Sequence, residues 1–143
     1  MTQFAYARYA LISTDNDVDL PGGDCQMKFP TTIKANPNVV PSQDFMSFTL
    51  SPGLWVIGFS YRLTDLVTNV PYLMIARAGA NEGDAFACGS AVSNFLNGSI
   101  FDVIEFDTPT VIAPYIWVSS ATRATHQGLD QYAVTHISFK GSV

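Results

Sequence analysis

Apolar and polar residues alternate with a period of two along most of this chain, the spacing that sends successive side chains to opposite faces of a β-strand. The clearest case is Phe45–Leu63, FMSFTLSPGLWVIGFSYRL. Met46, Phe48 and Leu50 alternate with Ser47, Thr49 and Ser51, and Ser51-Pro52-Gly53 then supplies turn chemistry, because proline presets φ and glycine accepts a positive one. Beyond the turn, Trp55, Ile57, Phe59 and Tyr61 share one face while Leu54, Val56, Gly58 and Ser60 share the other. An aromatic face backed by a small apolar one predicts a central strand buried on both sides.

The same alternation recurs on either side. Phe4–Ile12 sets Phe4, Tyr6 and Arg8 against Ala5, Ala7 and Tyr9 and predicts a first strand. Gln26–Ile33 predicts a short strand built on Met27, Phe29 and Ile33, with Pro30 at an edge or bulge. Further strands are expected after Pro71 (YLMIARAG), over Ser99–Phe106, over the β-branched and aromatic run Thr110–Ser119, and over Gln131–Lys140, where Ala133, Thr135, Ile137 and Phe139 face one way. Ser13–Asp24, Ala35–Asp44, Thr64–Asn69, Gly79–Asp84 and Ala121–Gly128 read as loops, Asn97-Gly98 as a turn, and Ala85–Asn97 is weakly patterned, with room for one helical turn. Short strands punctuated by turns, with no convincing helix, predict one all-β domain over residues 1–143. The expected architecture is a jelly-roll β-sandwich of about 8–10 antiparallel strands.

Composition alters this picture in one respect. Only 13% of the residues are charged while 13% are aromatic, so either Ser, Thr and Asn solvate the surface or part of it is covered by other copies; aromatics gather at subunit contacts. Thr110–Ser119 carries the sharpest sign of such a contact, with Tyr115 and Trp117 on one face and Ile116 and Val118 on the other. Both faces are apolar, which asks for cover from another copy or from both sides within one chain. The net charge of −5 and seven scattered Lys and Arg residues argue against nucleic acid and anionic membranes as partners, since both need clustered cations.

Candidate chemistry is sparse, and no cofactor or metal is expected. Cys25 and Cys88 stand far apart without a Cys or His at ligand spacing; they read as free thiols, a disulfide being a question for geometry. Asp15, Asn16, Asp17 and Asp19 hint at a calcium loop, but Leu20 follows where glycine is needed and Gln26 stands where a bidentate Glu belongs. Ser119 or Ser120, His126 and Asp130 contain the residue types of a hydrolytic triad without a nucleophile elbow. No enzyme is expected. His136 reads as a surface or interface side chain; on a threefold axis three copies of it would make a metal or anion site. Asn97-Gly98-Ser99 matches a glycosylation sequon.

The order of these features resembles the jelly-roll family of tumour necrosis factor and the globular heads of complement's first component. That family's Gly-x-Tyr-x-Phe-x-Phe is matched by Gly53-x-Trp55-x-Ile57-x-Phe59 followed by Tyr61, its valine-rich then aromatic strand by Val111–Val118, and its alternating last strand by Tyr132–Gly141. The likeness spans nearly the whole chain. Phe48 lies one residue too close to Gly53, and Trp55 and Ile57 replace the usual Tyr and Phe, departures that imply a remote viral or bacterial member. The family's collagen stalk is absent. The resemblance implies a compact homotrimer, with Tyr61, Tyr115, Trp117 and His136 as candidates for its interface.

Function is then expected from surfaces. MTQFAYARYAL has neither the cationic start nor the apolar core of a secretory signal, so the leading expectation is a virion surface protein made in the host cytoplasm. It would be a bacteriophage capsid decoration protein or short-fibre head that contacts the major capsid protein, another virion component, or a host receptor or glycan. The alternative is a secreted or cell-surface trimeric ligand-binding head of a longer protein. In either case contact is expected from loops: Asp15, Asp17 and Asp19 in the first, Asn81, Glu82 and Asp84 in the second, Arg123 and His126 in the third.

Overall fold

The computed structural model describes residues 3–64, 72–77, 85–90, 97–126 and 133–143. Among these every regular element is a strand: β1 (Phe4–Ala10), β2 (Val18–Leu20), β3 (Gly23–Gln26), β4 (Thr31–Lys34), β5 (Val39–Pro41), β6 (Phe48–Leu50), β7 (Gly53–Arg62), β8 (Tyr72–Arg77), β9 (Ala85–Ser90), β10 (Asn97–Phe106), β11 (Thr110–Val118), β12 (Thr122–Ala124) and β13 (His136–Ser142). Two sheets form the sandwich. The first runs β10-β7-β13-β1-β4; the second runs β5-β6-β11-β8-β9, with β3 also on β11. β12 and β2 form a separate ribbon. The pairings are antiparallel, and most sheet neighbours are distant in sequence because the chain passes back and forth between sheets, as a jelly roll requires.

Alternation explains the core. Trp55, Ile57, Phe59 and Tyr61 of β7 point inward and are fully buried, as are Ile137 and Phe139 of β13, Phe48 and Leu50 of β6, and Ile112, Ile116 and Val118 of β11. Tyr9 packs at 4.9 Å from Phe48, which lies 5.1 Å from Phe139 (ring centroids), and Phe29 meets Phe59 edge-on at 5.7 Å. Such pairs add about 0.5–1.5 kcal/mol each beyond their buried area. The Trp55 indole N–H donates to Ser51 O at 2.9 Å, so the largest core side chain also ties down the turn before its own strand. Gly53 in that turn has φ of 151°, a conformation suited to glycine.

Several boundaries differ from those read in the sequence. Ser13–Asp24 is interrupted by β2 and the start of β3, Ala35–Asp44 by β5, and Ala121–Gly128 by β12; each added strand is short and pairs with a distant segment that local pattern cannot reveal. Met27 and Phe29 are buried core residues outside any strand, lying between β3 and β4. Met46 lies in a loop clamped by Ser42, whose hydroxyl accepts from Met46 and Ser47 N–H and donates to Asp44. Asn97-Gly98 belongs to β10 and is not a turn, and Ala85–Ser90 is strand with no helical turn. β7 is central in its sheet but covered on one face alone: Leu54 is 49% and Val56 37% exposed.

The two cysteines do not bridge. Cys25 pairs with Ile116 on β11, and Cys88 of β9 pairs with Met74 on β8. Strands β11 and β8 therefore separate them, about 14 Å at the usual interstrand spacing, beyond disulfide reach.

Candidate functional site

Strand register lays out the uncovered face of the first sheet row by row. Glu105, Leu54, Ser142 and Phe4 stand side by side across β10, β7, β13 and β1; then come Val103, Val56, Lys140 and Tyr6; then Phe101, Gly58, Ser138 and Arg8, with Lys34 of β4 beside Arg8; then Ser99, Ser60 and His136. Phe4 (74%), Phe101 (77%) and Val103 (54%) are more open to solvent than Leu54 and Val56. Five of the seven large exposed apolar side chains among the described residues thus share one face, where monomers rarely leave apolar surface contiguous. Gly58 leaves a hollow of about 310 Å³ between Phe101 and His136, floored by Phe59, Ser60, Ser99 and Ile100.

His136 sits at the end of this face on a network of carbonyls. Its Nδ1 lies 2.9 Å from Ala133 O, 3.1 Å from Val134 O and 2.9 Å from Ser60 Oγ. Ser60 donates its own proton to Val134 O, so Nδ1 carries a hydrogen and Nε2 is the basic atom. Burial, followed by the charge of Arg8, pushes the imidazole below its ordinary pKa, against the opposing pull of the two carbonyl hydrogen bonds.

A second surface lies at the end of the sandwich. β2 and β12 pair with Arg123 opposite Asp19, and the Arg123 guanidinium Nε lies 3.2 Å from Asp19 Oδ1. Thr135 fixes this ribbon to the sheet: its buried hydroxyl donates to Thr125 O at 2.6 Å and accepts Arg62 N–H at 2.9 Å. A hollow of about 700 Å³ is lined by Asp19, Leu20, Pro21, Thr64, Ala121, Thr122 and Arg123.

No family model and no curated sequence matches the chain. Solved structures do. It is similar to murine APRIL at pH 8.5, with 9% identity, a TM-score of 0.64, and coverage of 97% of this chain and 99% of that one. It is also similar to Eiger TNF from S. frugiperda (10% identity, TM-score 0.59, 96% and 92% covered) and to rabbit GITRL (12%, 0.52, 94% and 91%). The chain has a tumour necrosis factor-like jelly-roll fold.

In this tumour necrosis factor-like fold the four residues expected at one interface do not share a surface. Tyr61 is a correction: its face is the inner face of β7, so it is fully buried in the core and cannot meet another copy. His136 lies on the uncovered face of the first sheet, whereas Tyr115 and Trp117 are half-buried on the outer side of the second. Two of the three expected contact loops do meet, as the β2–β12 ribbon. Within them Asp15 is a clamp, its Oδ2 accepting Ile12 N–H at 2.8 Å and the Thr31 hydroxyl at 2.7 Å, while Asp17, Asp19, Arg123 and His126 are exposed. Asn81, Glu82 and Asp84, and Asp130 of the imagined triad, lie outside the described residues.

Alternation marks Leu54 and Val56 as an apolar face and predicts cover on both sides of that strand, whereas the structure leaves this face open. Phe4, Phe101 and Val103 are not among the contact residues expected from the sequence.

Proposed function

We propose that this chain is a non-enzymatic binding head that works as a homotrimer. Copies associate through the outward face of the β10-β7-β13-β1-β4 sheet, and the β2–β12 end meets a cell-surface receptor protein or glycan. One observation carries the reading: Phe4, Leu54, Val56, Phe101 and Val103 lie uncovered on one face, in a fold whose resemblance to the tumour necrosis factor family implies a homotrimer. Covering such side chains removes apolar area from water, the main favourable term in association. Exposed polar loops at the end of a rigid sandwich are suited to partner contact.

Of the two settings expected from the sequence, the likeness to a tumour necrosis factor by name favours the ligand-binding head. Attachment to a capsid protein has no observation in its support.

Aspartate substitutions test the assembly. Val56→Asp and Phe101→Asp place an unpaired charge in the proposed contact and are expected to shift the chain from trimer to monomer while its circular dichroism is kept. Val111→Asp changes an exposed residue of the other sheet and should leave the trimer intact. Equal behaviour of all three variants would contradict this placement.

A further inference from the structure

We infer, on the trimer reading above, that neighbouring copies join an acidic edge to a basic face: Glu105 and Asp107 of one copy against Arg8, Lys34 and Lys140 of the next. In a chain of net charge −5, four of the seven Lys and Arg residues, Arg8, Lys34, Arg62 and Lys140, fall on the outward face of the first sheet, with Glu105 as the acid there. Edge strand β10 and its following turn have the opposite character. From Asn97 to Thr110 they hold Asp102, Glu105 and Asp107 and no Lys or Arg.

Within one copy no ion pair joins the two sectors among the described residues. β7 and β13 lie between β10 and β1, which sets Arg8 about 14 Å from the acidic strand. β7 lies between β10 and β13, which sets Lys140 about 10 Å from it, in each case before any offset along the strands. Glu105 is in the row of Phe4, and Arg8 is two rows further along. Among the described residues no carboxylate pairs with Arg8, Lys34 or Lys140, and the ion pair present is Arg123–Asp19 at the other surface.

Arg8 is the anchor of the basic sector. Its Nη2 donates to Ala133 O at 3.1 Å, while its Nε is buried without an acceptor among the described residues. Covering this guanidinium with apolar surface alone would strip water from an unneutralised charge, which is costly. A neighbouring copy that presents its acidic edge removes that cost while its Phe101 and Val103, on the same strand, bury their apolar area. Such a head-to-tail contact uses a different patch from each copy and closes on itself in a ring.

Sedimentation of the full chain, with charge reversals at exposed positions, tests the pairing. Raising sodium chloride from about 0.05 to about 0.5 M should weaken the trimer. Lys34→Glu with Lys140→Glu, and separately Glu105→Lys with Asp107→Lys, should each weaken it on the order of tenfold or more in dissociation constant. The chain carrying all four reversals should regain most of the loss, because each new acid then meets a new base. Circular dichroism confirms that every variant folds. A trimer indifferent to salt and to both reversals would overturn the pairing and leave the trimer reading standing. A wild-type chain that stays monomeric would overturn both. A trimer strengthened by added inorganic phosphate yet unchanged by Glu105→Lys with Asp107→Lys would assign the basic face to a free anion and likewise overturn the pairing.

Discussion

Gly141 of β13 lies flat against the indole of Trp55 on β7: a β-carbon at position 141 would stand 2.5 Å from Trp55 Cε3 and 2.7 Å from Cδ2. The two residues are register partners, and Trp55 fills the core precisely because position 141 has no side chain to compete with it. Gly141→Ala should therefore destabilise the fold by about 1–3 kcal/mol, the scale of core overpacking. Urea denaturation of the two proteins measures this, and an unchanged midpoint would mean that the indole moves aside freely.

Tyr61 gives a prediction of opposite sign. Its hydroxyl is buried without a hydrogen-bond partner among the described residues, a state that costs about 1–3 kcal/mol. Tyr61→Phe should leave the melting temperature unchanged or raise it. Burial also pushes the phenol up to about 12 from its ordinary 10.0. An unfolded chain then loses this proton before the folded one, so stability falls as pH rises from 10 towards 12. Tyr61→Phe should flatten that alkaline limb, and an unaltered limb would contradict the assignment.

Acid acts through His136. Its folded pKa lies below the ordinary 6.5, so between those values the unfolded chain binds more protons. This contribution is fully present above pH 6.5 and is lost as the pH falls towards the folded value. The positive charge of Arg8 acts in the same direction as burial and strengthens the effect. Stability measured from pH 7.5 to about pH 5 should fall, and His136→Gln should reduce the slope. An equal slope in that variant would place the titration elsewhere.

The strands and the core were legible in the sequence because alternation is a local signal. Ala133, Thr135, Ile137 and Phe139 were read as one face and are all buried, and the inner face of β7 was read correctly. β2, β5 and β12 are not legible because strands this short are specified by partners distant in sequence: Val18–Leu20 by Thr122–Ala124, for example. The association face was half legible. Leu54 and Val56 stood out as apolar, but alternation says which residues share a face and not whether the same chain covers it. The clustering of Arg8, Lys34 and Lys140 was hidden for the same reason: they look scattered until β1, β4 and β13 lie side by side.

Partner contact should depend on the exposed end. Asp17→Ala and Arg123→Ala break no core contact, and the Arg123–Asp19 pair is solvent-exposed, so each should change stability by less than about 1 kcal/mol. Binding to cells or glycan arrays that capture the wild-type chain should be weakened by at least one of them. Full binding by both variants would move the contact to another surface.

Sedimentation equilibrium of the wild-type chain at micromolar concentration tests the central claim most directly. The predicted result is a single species of three times the 15.5 kDa chain mass. A species at 15.5 kDa across that range would contradict it, and would leave Phe4, Leu54, Val56, Phe101 and Val103 exposed for some other reason.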